Sequence, residues 1–227
     1  MFLLTHRQPA PTHFPSTTLF RSNDTIYGGA DNDSISATGD GTNRFYGGDG
    51  NDYLAADGGG GDYLDGGAGD DSLWGSYSTD TLVGGAGNDF LDAYQGNDTM
   101  YGDEGQDTLN GSGGSNLLDG GDGSDLLNAA GGDDTLHGGS GSDTLYGGGG
   151  NDIFVFTDGD GADVIADFGT GSDRIDLDAS FGITDQASLD AIKSDDGNGN
   201  TLLDFGDGDT LTLIGVDEST FSIGYII

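Results

Sequence analysis

Residues Gly47–Ala55 read GGDGNDYLA, Gly66–Trp74 read GGAGDDSLW, and Gly84–Asp92 read GGAGNDFLD. They share the pattern Gly-Gly-x-Gly-x-Asp-x-apolar-x, which Gly120–Asn128, Gly138–Tyr146 and Gly147–Val155 repeat. The nine-residue register runs unbroken from Asp57 to Val155 and extends upstream with one-residue slips at Ala37 and Ala56. Repeats then start at 19, 28, 38, 47, 57, 66, 75, 84, 93, 102, 111, 120, 129, 138 and 147. A period of this kind decides the architecture before any local motif is weighed.

Three positions carry the pattern. The eighth is apolar in every copy, from Ile26 and Ile35 to Leu145 and Phe154, in a chain that is only 33% hydrophobic. The sixth is Asp except at Asn43 and Asn116, and the fourth is Gly in twelve copies. Glycines let the main chain take positive φ and turn its carbonyls inward. An Asp at each sixth position supplies one hard oxygen ligand per turn, and calcium takes six to eight oxygens from carboxylates and carbonyls together. The closing x-apolar-x is a short extended stretch with one side chain pointing inward. Two nonapeptides therefore make one coil (turn, strand, turn, strand), and stacked coils give an all-β solenoid of two parallel sheets around a thin core.

This pattern resembles the calcium-binding nonapeptide repeat of RTX proteins, and that resemblance implies a parallel β-roll that binds Ca2+. It covers about residues 23–155 as a roll, with 156–227 as a β-rich C-terminal cap and secretion-signal region. In a roll, a metal lies between turns about eighteen residues apart on one edge, which separates the repeats into two series. The even turns, starting at 28, 47, 66, 84, 102, 120 and 138, stay close to consensus, whereas the odd turns decay except near 129 and 147. The expected ligands on the even edge are Asp33, Asp52, Asp71, Asp89, Asp107, Asp125 and Asp143, seven carboxylates with six gaps between them. On the odd edge the best pair is Asp134 and Asp152, with Asp62, Asp80 and Asp98 as weaker candidates. The alternative, that the odd turns bind equally well through backbone carbonyls, stays open.

The formal net charge is −36 on 227 residues, and all but Glu104 and Glu218 of the 41 acidic residues are Asp. A core of one apolar residue per nonapeptide cannot offset both chain entropy and that self-repulsion. The repeats are therefore expected to be unfolded without calcium and to fold as calcium neutralises the turns. Extracellular calcium is about millimolar, in the range of extracellular modules, so folding is expected outside the cell. Strong acidity excludes nucleic acid as a partner of the array. No cysteine is present, and no stretch approaches the roughly 18 apolar residues of a transmembrane span.

The two ends differ from the middle. Residues 1–22 hold no acid and all three prolines, and Thr12–Ser22 (THFPSTTLFRS) resembles translated sequencing adapter. They are expected to be a non-native or disordered leader, with the true protein longer at its N-terminus. After Val155 the texture changes to alternating stretches such as Asp163–Phe168, Asp173–Leu177, Thr201–Phe205 and Thr210–Ile214. Thr184–Lys193 is expected to form a helix capped by Thr184. The Asp-x-Ile-x-Asp-Phe and Asp-Arg-Ile-Asp-Leu types of phrase resemble the C-terminal region of serralysin-type RTX proteins. That resemblance implies export by a type I (ABC) secretion machinery, an extracellular location, and an export signal in Asp217–Ile227.

No catalytic motif is found: neither His-Glu-x-x-His nor Gly-x-Ser-x-Gly occurs, and there is no cysteine nucleophile. His137 falls at a ninth position and is expected to be outward and solvated. Tyr46, Trp74, Tyr101 and Tyr146 also fall at ninth positions, where an aromatic stripe would serve a carbohydrate or protein ligand. The leading reading is a calcium-folded module of a secreted bacterial protein. The alternative is the C-terminal part of a secreted hydrolase, a protease or lipase, whose catalytic domain lies upstream.

Overall fold

The computed structural model describes residues 17–19, 23–169 and 171–227. Apart from the strand Thr17–Leu19, the expected leader over 1–22 lies outside the described residues. Each nonapeptide forms one strand around its eighth residue, and consecutive strands fall in different sheets. A nine-stranded sheet stacks Thr25–Ala30, Arg44–Asp49, Tyr63–Ala68, Thr81–Ala86, Thr99–Glu104, Leu117–Gly123, Thr135–Gly141, Ile153–Phe156 and Arg174–Leu177. The facing sheet stacks Ser34–Ala37, Tyr53–Ala56, Ser72–Trp74, Phe90–Asp92, Thr108–Asn110, Leu126–Asn128, Thr144–Tyr146 and Ala162–Ile165. Every pairing among these strands is parallel.

The core is the eighth-position column of each sheet. From Ile35 to Phe154 these side chains are at most 2% exposed, and Ile26, on the end coil, is only partly buried. Burying one such side chain contributes about 1.5–3 kcal/mol, so each coil is held by little more than two of them. The slips at Ala37 and Ala56 fall opposite each other on consecutive coils, and both methyls are buried. They lengthen two neighbouring strands in register, so the even-edge ladder bonds span 19 residues from Asp33 to Asp71 and 18 from Asp71 to Asp143.

Strand stacking does not stop where the nonapeptide period does. Ala162–Ile165 pairs with Thr144–Tyr146, and Arg174–Leu177 pairs with Ile153–Phe156, adding a further coil. Asp209–Leu213 then lies parallel on Ala162–Ile165 and turns back through Thr201–Gly206 and Lys193–Asp195 as an antiparallel meander. The meander covers the last sheet edge, which a repeat array needs. Phe156, Phe181 and Phe205 form one aromatic cluster under it, and Phe168, Phe221 and Tyr225 form another.

The expected helix is present but starts later, as Gln186–Ile192 with Asp185 rather than Thr184 as its cap. The reason is a reciprocal capping box. Asp185 accepts the Ser188 N–H at 2.9 Å, and the Ser188 hydroxyl accepts the Asp185 N–H at 3.1 Å.

Leu109, fully buried between the sheets, tests the core. Leu109→Ala should cost about 2–5 kcal/mol in denaturant unfolding at saturating calcium. A loss well under about 1 kcal/mol would mean that the column is not a closed core.

Candidate metal centre

The turns on the even edge follow from their glycines. The second and fourth positions take positive φ, as at Gly48 (115°) and Gly50 (122°), and at Gly67 (104°) and Gly69 (129°). Such a backbone strains any residue with a Cβ. On the odd edge the same left-handed second position is filled by Tyr94 (72°), Ser112 (64°) and Ala130 (68°). Those turns keep the conformation at a strain of about 1–2 kcal/mol each. The turn Gly75–Asp80 departs further, since neither Ser76 nor Ser78 is left-handed.

Both edges carry a column of buried sixth-position carboxylates joined as a ladder. On the even edge the N–H of Asp33 donates to Asp52 Oδ1 at 2.7 Å, and Asp52 donates in turn to Asp71 at 2.6 Å. The series continues through Asp89, Asp107, Asp125 and Asp143 at 2.7–2.8 Å. On the odd edge it passes through Asn43, Asp62, Asp80, Asp98, Asn116, Asp134 and Asp152. All twelve expected ligands thus stand in the two columns, each no more than 6% exposed. The decay of the odd turns does not disturb the ladder, because the ladder uses only the sixth residue's own N–H and oxygen.

The ladder satisfies one oxygen of each carboxylate. The other, Oδ2, is buried with no hydrogen-bond partner among the described residues at Asp52, Asp62, Asp71, Asp89, Asp98, Asp107, Asp125, Asp134, Asp143 and Asp152. On the even edge that oxygen faces another acceptor. A Cβ placed on Gly47 would press on both Asp52 Oδ2 and the Gly66 carbonyl, and one on Gly66 would press on Asp71 Oδ2 and the Gly84 carbonyl. Two oxygens converging without a proton between them ask for a cation. An all-oxygen set of carboxylates and carbonyls is the donor chemistry of calcium. The residues therefore fit the ion, which supplies the charge that buried carboxylates need.

Burial, against the opposing pull of the ladder N–H, pushes Asp52, Asp62, Asp71, Asp107 and Asp134 up to about 6. Asp89, Asp98 and Asp125 rise to about 7, and Asp80, Asp143 and Asp152 also move up, again through burial. Each column is a stack of charges held out of water.

The sequence period missed two members. The Asp143 N–H donates to Asp163 Oδ1 at 3.0 Å and the Asp152 N–H to Asp173 Oδ1 at 3.1 Å, across 20 and 21 residues. His137, expected to be solvated, instead lies between Asp119 (3.5 Å from Nδ1) and Asp160 (3.2 Å from Nε2). Its hydrogen bonds to these two push its pKa up to about 10.

The four ninth-position aromatics do not form one stripe. Tyr46 and Tyr101 lie on one sheet, and Trp74 and Tyr146 on the other. Tyr46 stacks with Tyr27 at 4.8 Å, and Trp74 packs on Phe90 at 5.2 Å. No cluster of three or more His, Cys, Asp or Glu side chains able to hold a metal occurs among the described residues, so carbonyls must complete any ligand set.

The crowding at Gly66 gives a direct test. Gly66→Ala should shift the calcium titration midpoint to higher concentration and lower the melting temperature in calcium. A variant titrating like the parent chain would show that the carboxylate and carbonyl do not meet there.

Comparison with known proteins agrees with the geometry. The family model for the RTX calcium-binding nonapeptide repeat matches in overlapping copies from residue 21 to residue 165, well over half of the 227 residues. No curated protein sequence matches the chain. Among solved structures, the crystal structure of extracellular lipase LipA from Serratia marcescens is similar at 22% identity and a TM-score of 0.45. That match covers 96% of this chain and 40% of the lipase chain. With its repeats, its two parallel sheets and its aspartate columns accounted for, the chain belongs to the RTX calcium-binding nonapeptide repeat family.

Proposed function

We propose that this chain is the calcium-triggered folding module of a secreted bacterial protein, unfolded where calcium is scarce and a β-roll where it is plentiful. The observation that carries this reading is the column of buried Oδ2 atoms set against carbonyls on the even edge. Calcium binding to the roll alone adds its binding free energy to folding. The ions occupy the gaps along Asp33, Asp52, Asp71, Asp89, Asp107, Asp125 and Asp143, with a further site between Asp134 and Asp152. Export through a type I (ABC) machinery suits such a chain, because it stays extended inside the cell and folds outside. Asp217–Ile227 is the proposed export signal. Its Phe221 is buried in the folded state and Ile227 donates to the Ile175 carbonyl at 3.0 Å, while Asp217, Ser219, Thr220 and Tyr225 stay exposed, so folding anchors the segment without covering it. The module reading assigns the roll no catalysis of its own. A catalytic motif in the gene upstream would make it the tail of a hydrolase.

A calcium titration followed by far-UV circular dichroism, with magnesium as control, should show a coil-to-β transition at or below about millimolar calcium. A chain already folded in chelator would sink the switch.

Protons should partly replace the ion. Asp52, Asp62, Asp71, Asp89, Asp98, Asp107, Asp125 and Asp134 titrate at about 6–7 in the roll against about 3.9 in an unfolded chain. Their protonation therefore favours the metal-free roll fully below the unfolded value and ceases to do so as pH rises through 6–7. In chelator, β content should grow as pH falls from 8 towards 5. A flat profile would contradict the burial of the columns.

A further inference from the structure

The two carboxylate columns differ in what lies beside them. The even column runs unbroken through Asp52, Asp71, Asp89, Asp107, Asp125 and Asp143, each with an open buried oxygen. The odd column is interrupted at every second coil by a group that brings its own donor. Asn43 Nδ2 donates to Asp62 Oδ1 at 2.9 Å and to the Gly41 carbonyl at 3.1 Å. Asp80 Oδ2 accepts the N–H of Ser76 at 2.7 Å and its hydroxyl at 3.0 Å, with Ser76 itself 3% exposed. Asn116 Nδ2 reaches towards the Gly114 carbonyl at 3.5 Å.

The same contrast shows beside Gly111, the first residue of the odd turn that holds Asn116. A Cβ on Gly111 would sit between a donor, Asn116 Nδ2 at 2.8 Å, and an acceptor, the Ala129 carbonyl at 3.2 Å. On the even edge the matching place beside Gly47, Gly66, Gly84, Gly102 and Gly120 lies between two acceptors. Beside Gly75 on the odd edge two acceptors also meet, but one of them, Asp80 Oδ2, is already filled by Ser76. Hydrogens aimed into that space repel a cation, and the polar groups there are already matched. Asp62 and Asp98 keep an open oxygen, but their neighbours in the column are Asn43, Asp80 and Asn116. Beyond Asp152 the column closes again, because Asp173 Oδ2 accepts the Gly169 N–H at 2.7 Å. Asp134 and Asp152 are thus the one pair of consecutive open carboxylates on the odd edge among the described residues.

We propose that Asn43, Ser76 and Asn116 are built-in substitutes for the ion. They close their turns without metal and confine odd-edge calcium to the gap between Asp134 and Asp152. This rests on the calcium reading above and adds an asymmetry to it: the N-terminal part of the odd edge needs no calcium, while the even edge needs it at every coil.

The test counts calcium ions per chain by native mass spectrometry at saturating calcium, with circular dichroism to verify folding. Asn116→Asp makes Asp98, residue 116 and Asp134 three consecutive carboxylates, and should bind at least one more ion than the parent. Asp134→Asn should bind one fewer. An unchanged count in either folded variant overturns the proposal, and if Asn116→Asp fails to fold in calcium the Asp134→Asn count decides.

Terbium tests Ser76 separately. Trp74, the chain's single tryptophan, lies two residues before it. Ser76→Pro, which removes both the N–H and the hydroxyl from Asp80 Oδ2, should raise Trp74-sensitised terbium emission, and unchanged emission in the folded variant removes Ser76 from the proposal. A parent chain that binds no calcium at all would instead sink the proposed function, leaving the two failures distinct.

Discussion

A carboxylate taken out of water must find a partner for both oxygens, or a counter-charge, and this chain takes one out of water at almost every turn. The fold answers half of the demand itself. Each sixth-position Asp accepts the N–H of its counterpart one coil earlier, which fixes the register of stacking as firmly as the sheets do. On the even edge the other oxygen is left facing carbonyls. That unmet half makes the structure conditional, because the core alone is one file of Leu, Ile, Phe and Met from each of two sheets. Hydrophobic burial specifies which coil this chain forms, and the charge in the turns decides when it forms.

The C-terminal region completes the same logic with ordinary means. Past Phe156 the chain gains larger aromatic clusters, a helix with a side-chain cap, and an antiparallel meander over the last parallel strand. Acidic groups there find donors within the protein, as when Asp209 takes the N–H groups of Gly159 and Gly161 at 2.9 and 3.0 Å. This end gives the roll a fixed terminus to stack against.

The period made the roll, its core columns and the two aspartate columns legible, because each depends on one residue type at one position. The extension to Asp163 and Asp173 was hidden, since the spacing grows to 20 and 21 residues while the ladder bond survives. Loss of glycine on the odd edge suggested decayed turns, yet Tyr94, Ser112 and Ala130 hold the left-handed backbone without it. Ser76 was invisible for a different reason. Asp80 obeys the consensus, and only geometry shows that a hydroxyl from its own turn has filled its open oxygen.

The paired slips at Ala37 and Ala56 bear on how such a gene can change. An extra residue in one coil is left without a partner in the next unless that neighbour carries the same insertion in the same place, as these two do. Copying a whole coil leaves both of its neighbours with an unchanged interface. Within the regular part of the roll, lineages of this protein should therefore lengthen and shorten chiefly by whole-coil duplication and loss.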